Sequence, residues 1–283
     1  MKNFILGPLV QKNRKIRFFY ILLVLVLLII TQVGALWVWP FLSMNPDDIG
    51  WKHRTRRWTY PLLSYLIGSQ VLLPLLSPIW GMKALPCSSS HHLRAHSLRT
   101  CLFHRNYIHH EAYQTLKSIE QNMERMFPKT PILYFDAGFP IPYMHMFPHL
   151  DHAKGDRIDL GLLWKHPKTK AYASPPSPIG YGGFAQPSSP RTCNPNDVFF
   201  IVGRLALDLR WDYDWLSPFL SEASLDQTKT KALVNIIAKQ SRVSNVILEP
   251  HLNTLFPTPK NTANSCKVAR HDDHIKIVFH SNH

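Results

Sequence analysis

The stretch from Pro148 to Trp164, "PHLDHAKGDRIDLGLLW", decides how the chain is read. Its second half alternates. Ile158, Leu160 and Leu162 fall on one face of an extended segment and Asp159 and Gly161 on the other, because side chains along a strand alternate with period two. The first half is polar and turns at Gly155, so the whole reads as a bend feeding a strand. His152 and Asp159 can then face one point across that bend, with His149 three residues upstream. Zinc takes imidazole nitrogen and carboxylate oxygen, and a catalytic zinc site uses three protein ligands beside an open position for water. Two ligands are not a site, so a third has to come from elsewhere in the chain.

Outward from this stretch, apolar periodicity marks the neighbouring elements. "PILYFDAGF", from Pro131, reads as a buried strand stopped by Gly138 and Pro140, with Asp136 near its end. Between Tyr107 and Phe127, Ile108, Ala112, Leu116, Ile119, Met123 and Phe127 recur at three- and four-residue intervals, which predicts a helix that Pro128 ends. "VFFIV" from Val198 reads as strand and "TKTKALVNIIAKQ" as a helix burying Ala232, Leu233, Ile236 and Ile237. "NVILE" and "HIKIVF" read as strands. The loop "SPPSPIGYGGFAQPSSP", Ser174 to Pro190, is longer than a compact domain ordinarily carries without a function and reads as a lid or rim of a cleft. Strands and helices interleave without a steady βαβ rhythm. The fold expected is α+β, a mainly antiparallel sheet with flanking helices, preceded by an N-terminal transmembrane helix.

That helix is read from residues 18–42, "FFYILLVLVLLIITQVGALWVWPFL", which carry no charge and are long enough to cross a hydrocarbon core of roughly 30 Å. A basic tail, residues 1–17, precedes it, which favours a cytoplasmic N-terminus, and Trp37 and Trp39 lie where an interfacial aromatic belt would fall. A cleaved signal peptide is the alternative. A second uncharged run, residues 59–82, holds Pro61, Pro74 and Pro78, and spans, re-enters or lies against the surface. Residues 83–106, rich in Ser, His and Arg, read as a linker, and residues 107–283 as the main domain. The net charge of +14 is uneven: residues 1–130 hold 16 Lys and Arg against 5 Asp and Glu, the remainder 16 against 13. The basic excess belongs to the membrane-proximal part, so no nucleic-acid partner is expected.

The candidate third ligand lies in "ARHDDHIKIVF", Ala269 to Phe279, where His271, Asp272, Asp273 and His274 crowd the start of a strand. A His-x-x-His-x6-Asp segment followed distantly by His-Asp-Asp-His and a strand resembles the penicillin-insensitive murein endopeptidases, zinc peptidases of the lysostaphin and D-Ala-D-Ala peptidase superfamily. "SRVSNVILEPHL", Ser241 to Leu252, resembles the strand and short helix before that family's last histidine motif, and the similarity covers roughly residues 131–279. The resemblance implies a membrane-anchored hydrolase, single-pass with its domain outside the cytoplasm (two-pass being the other topology), acting on peptidoglycan peptide. It implies Zn2+ held by His152 and Asp159, His271 and His274 as the catalytic, proton-transferring groups, and His149, Asp273 and Lys276 lining the site. The family's last motif reads His-x-His with the final histidine on zinc, and Lys276 occupies that place. An ammonium offers no lone pair, so the expectation is a weak or inactive peptidase with Lys276 paired to Asp159. The alternative is a non-catalytic cell-wall-binding or scaffold relative.

Four cysteines, none in a C-x-x-C spacing, suit two disulfides in an oxidising compartment or four buried thiols. Cys193 and Cys266 flank the candidate site and are expected to pair, which leaves Cys87 and Cys101 to pair near the membrane.

Overall fold

A computed structural model of the chain describes residues 14–42, 51–144, 150–185, 218–263 and 271–280. The strand expected at Val198, the candidate residue His149, the proposed Cys193–Cys266 pair, and Trp211, Asp212 and Asp214 of "RWDYDW" lie outside the described residues.

The apolar runs become the strands of one six-stranded sheet. In chain order these are β2 (Leu93–Ala95), β4 (Ile132–Asp136), β5 (Arg157–Gly161), β9 (Val243–Leu248), β10 (Asn261–Ala263) and β11 (His274–Phe279). Their spatial order is β10-β9-β11-β5-β4-β2. The inner pairings β9–β11, β11–β5 and β5–β4 are antiparallel, while the edge pairings β10–β9 and β2–β4 are parallel. The sheet is thus mixed, with the expected antiparallel character at its centre. Every residue of β4 is buried, as suits a strand covered on both faces. Short strands β1 (Met82–Ala84) and β3 (Tyr107–His109) pair antiparallel, and β6 (Trp164–Lys165) pairs with β7 (Tyr172–Ala173) and β8 (Ser224–Leu225) in a small third sheet.

Helices cover the sheet close to where periodicity placed them, although Tyr107–His109, read as the first turn of one, pairs as strand β3, and Ala232 and Ile236 are only half-buried. His110–Met126 buries Ala112, Leu116, Ile119 and Met123, and Gln227–Ala238 buries Leu233, Val234 and Ile237 behind an N-cap in which Asp226 accepts from the Lys229 amide at 3.2 Å. These residues join Ile158, Leu160, Ile275 and Ile277 in one core. Each such side chain removed from water contributes roughly 1.5–3 kcal/mol.

Residues 83–106 correct the linker expectation. Leu93–Ala95 adds the edge strand to the sheet, a helix at Leu98–Leu102 follows with Ser97 as its N-cap, and a disulfide joins Cys87 to Cys101. Of the residues that resembled a linker, Ser88, Ser89, Ser90, His91 and Arg99 lie exposed on a folded, cross-linked edge, while His104 is wholly buried in it. A disulfide closing a loop of about 15 residues constrains the unfolded chain by about 3 kcal/mol on the loop-entropy model. The double change Cys87→Ser and Cys101→Ser is therefore expected to lower unfolding free energy by about that amount. Denaturant titration of the two forms reads it, and equal midpoints would mean that packing alone holds this edge.

At the N-terminus the single helix expected over 18–42 is two: α1 (Arg14–Thr31) and α2 (Gly34–Leu42). Gln32 between them is left-handed, φ 64°, a conformation that costs a non-glycine residue roughly 1–2 kcal/mol. Hydrogen bonds offset the cost. The Gln32 amide donates to the Ile141 carbonyl at 2.8 Å and accepts from the Ile141 N–H at 3.1 Å, while the Thr31 hydroxyl accepts from the Gly34 amide. The break thus joins the helices to the domain, and His104 Nδ1 adds a 2.8 Å bond to the Thr31 carbonyl. A third helix, α3 (Trp51–Ile67), continues through a π-helical turn (Gly68–Leu72), one further α-turn (Leu73–Leu76) and a 3-10 turn (Ser77–Trp80). Among the described residues, Thr59–Trp80 is the one helix long and apolar enough to cross a membrane.

Candidate functional site

The site forms where the ends of β4, β5 and β11 meet. Antiparallel register sets His274 opposite Gly161 and Lys276 opposite Asp159, so period two brings His274, Lys276, Asp159 and Gly161 to one face of the sheet. His152 arrives from the 3-10 turn Leu150–Lys154. The chain then reverses at Gly155, φ 67°, where a Cβ would come within 2.4 Å of the Met82 side chain. Glycine adopts this left-handed angle without strain and leaves room for the end of the Met82 side chain.

Two imidazoles aim at one carboxylate oxygen. His152 Nδ1 lies 2.6 Å from the Ala137 carbonyl, which can only accept, so Nδ1 carries a proton and Nε2 is the nitrogen turned toward Asp159. That Nε2 is 3.3 Å from Asp159 Oδ1. His274 Nδ1 pairs with Asp273 Oδ1, and its Nε2 points at the same Asp159 oxygen from 3.8 Å. Burial pushes the Asp159 carboxyl up, but the positive charges of His152, Lys276 and His274 more than reverse this and hold it well below the usual carboxylate range. His274 shifts upward: burial lowers it, and Asp159 and Asp273 together raise it further.

Donors bonded to one tetrahedral zinc at 2.0–2.1 Å stand about 3.3 Å apart. His152 and Asp159 meet that spacing, and the outer hydrogen bonds on the two imidazoles are of the kind that orient metal ligands. His274 stands beyond it, and among the described residues no group of three or more His, Cys, Asp or Glu is arranged to hold a metal ion. The residues present therefore form half of a zinc site and do not fit the bound ion as they stand.

Lys276 stands opposite Asp159 across the paired strands, with a different partner from the one expected. Its Nζ donates to Asp151 Oδ2 at 2.9 Å, not to Asp159. Asp151 also accepts from Arg157 at 2.6 Å; burial raises its carboxyl, and Lys276 and then His152 outweigh this, so it titrates below the usual range. The lysine, 5% exposed, reaches past Asp159 to a carboxylate nearer solvent, where less hydration is lost.

The remaining expected residues are close by. The His271 ring lies tilted against that of His274, centroids 4.6 Å apart, and its backbone amide donates to Glu249 at 3.0 Å. Asp273 orients His274 and accepts from the Gly182 amide at 2.6 Å. The long loop is the cover foreseen for it, as far as Ala185, where the described part ends. Tyr181 places its hydroxyl 2.8 Å from Asp159 Oδ2 and 3.0 Å from Asp136 Oδ2, and the Ala185 amide bonds the Asp272 carbonyl.

Arg105, Asp136, Asp151, Tyr181 and Glu249 escape sequence reading as site residues. A register shift in β4 between Tyr134 and Asp136 brings Asp136 opposite Asp159, and the extra residue, Phe135, packs its ring on Tyr181 and His274. Bulges of this kind re-aim side chains beside functional sites. Burial raises the Asp136 pKa, the Arg105 guanidinium at 2.9 Å offsets this, and Asp159 raises it again. Behind the tyrosine, a cavity of about 190 Å³ is lined by Arg99, Arg105, Phe135, Asp136 and Tyr181. A more open depression of about 410 Å³ lies around His91, His92 and Glu124, away from these groups. No protein-family model matches the chain, and no curated protein matches it.

Proposed function

We propose that this chain is a membrane-anchored relative of the murein endopeptidases that binds peptidoglycan peptide outside the cytoplasm, with hydrolysis weak or absent. The observation that carries the proposal is the Lys276–Asp151 ion pair beside the His152–Asp159 pair: a hydrolase-type half-site with an ammonium where a third ligand would complete it. The cover by Tyr181 favours absent turnover, because His152, Asp159 and His274 are almost wholly buried beneath it, away from any bound peptide. The Cys87–Cys101 disulfide supports an oxidising compartment, and the exposed apolar side chains of α1, Phe18, Leu22, Leu25 and Ile29, support attachment to a membrane.

The test uses full-length protein in detergent micelles. Expected are zinc well below one ion per chain by elemental analysis and saturable binding of cross-linked muropeptides without their cleavage. Stoichiometric zinc that disappears with His274→Ala, together with cleavage, would mean that His274 has become the third ligand and that the chain is a working enzyme. No muropeptide binding with or without zinc would remove the cell-wall reading.

A further inference from the structure

We infer that Thr59–Trp80 does not cross the bilayer but lies in its surface plane, with the ridge Leu63, Ile67, Val71, Leu75 and Ile79 immersed in lipid and the opposite side docked on the domain. The inference rests on the membrane attachment proposed above and not on the peptidase reading.

Two stripes run along this helix. Pro61, Ser69, Leu73 and Ser77 are buried, whereas the five ridge residues are between 47% and 74% exposed. Each stripe has four-residue spacing, which would drift around an α-helix of 3.6 residues per turn. The π-helical turn at Gly68–Leu72, with more residues per turn, counteracts the drift and keeps the exposed ridge on one side.

The buried side packs on α2 near its start, where the Ser64 hydroxyl donates to the Trp37 carbonyl and Gly68 faces the Trp37 ring, and from Tyr65 onward it also meets the domain. The Tyr65 hydroxyl donates to the Leu102 carbonyl and its ring stacks on His104. Gln70 approaches the Cys101 carbonyl at 3.5 Å, and Leu73 packs with Val33, Met82 and Tyr107. A crossing helix needs about 20 residues clear of its soluble domain, but Tyr65 touches the domain only six positions after Thr59. Ahead of Thr59 stand Lys52, Arg54, Arg56 and Arg57. If the helix crossed, the folded edge that Cys87–Cys101 closes, whose Cys101 and Leu102 carbonyls meet Gln70 and Tyr65, would have to enter the hydrocarbon with it.

The occupant argued for is lipid. The ridge is continuous in character with α1, whose Phe18, Leu22, Leu25 and Ile29 are exposed in the same way. No acidic residue occurs from Trp51 to Lys83, and the four preceding cations suit anionic headgroups. Tyr60 and Trp80, both partly exposed, mark the two ends, as interfacial aromatics do. An amphipathic helix in this pose sinks its apolar face roughly 5–10 Å into the headgroup boundary.

The test reconstitutes the full chain in vesicles of phosphatidylethanolamine and phosphatidylglycerol, with Leu63, Val71 or Ile79 replaced, one at a time, by a fluorescent amino acid through stop-codon suppression. Phospholipids brominated near the headgroup or near the chain end then act as quenchers. The expected result is the same loss of fluorescence at all three positions, greater with the shallow bromines than with the deep ones. Quenching of the Val71 position mainly by deep bromines, with Leu63 and Ile79 responding to shallow ones, would mean that the helix crosses. No quenching in vesicles that still carry the chain would mean that protein covers the ridge. A chain that fails to float with the vesicles would remove the membrane attachment itself.

Discussion

Replacing Lys276 by histidine is expected to raise zinc affinity by on the order of 100-fold or more, since losing even an outer-shell partner of a ligand typically costs 10–100-fold. The change puts an imidazole on the face shared by Asp159 and His274 and removes an ammonium that repels the cation. His152 Nε2 and Asp159 Oδ1 already stand at ligand spacing, 3.3 Å, so the new donor completes a three-ligand set with an open position. Competition against a chelating dye measures the gain, and hydrolysis of cross-linked muropeptides is expected to emerge with it. Asp159→Ala in the Lys276→His background should abolish both. An unchanged affinity would show that the lysine is not what keeps zinc out.

The second large effect is expected from Arg105→Met. Arg105 is the cation beside Asp136, 2.9 Å away, and Asp136 is 4% exposed. One Tyr181 hydroxyl faces both Asp136 and Asp159, and a single O–H proton cannot serve two carboxylates at once. Without the guanidinium, Asp136 keeps its burial and the nearby Asp159 charge, and a loss of about 3–5 kcal/mol is expected, as when one partner of a buried pair is removed. The sign with pH follows from linkage. Asp136 is already raised in the folded chain and rises further without Arg105, so the folded state holds a proton that the unfolded state releases. The deficit is therefore full above the folded pKa and shrinks as pH falls toward the unfolded carboxylate value of about 3.9. Urea titrations at several pH values read it. Adding Asp136→Asn should recover most of the loss; failure to recover would place the damage in the packing of the arginine stem instead.

Alternation and helical spacing made β4, β5, β9, β11 and the two covering helices readable, because each carries its burial pattern within one short segment. The same period-two rule puts His274 and Lys276 on one face of their strand and Asp159 and Gly161 on one face of theirs; the antiparallel register joins the two faces. Leu93–Ala95 was misread because a three-residue edge strand among Ser, His and Arg has no room for a pattern. Tyr181 sits in a Pro-, Gly- and Ser-rich loop, and Asp136 depends on a register shift; neither leaves a local signature.

The chain's own order of residues determined the strands, the amphipathic helices and the face on which the candidate ligands stand, since those depend on repeats of two and about 3.6 residues along one segment. Tertiary structure alone decided that Lys276 reaches Asp151 rather than Asp159, that Tyr181 closes over the pair, that the first apolar run breaks at Gln32, and that Thr59–Trp80 lies along the domain. Each of these turns on distances between segments far apart in the chain. Periodicity states which way a side chain points, but not which charge, hydroxyl or carbonyl the fold brings to meet it.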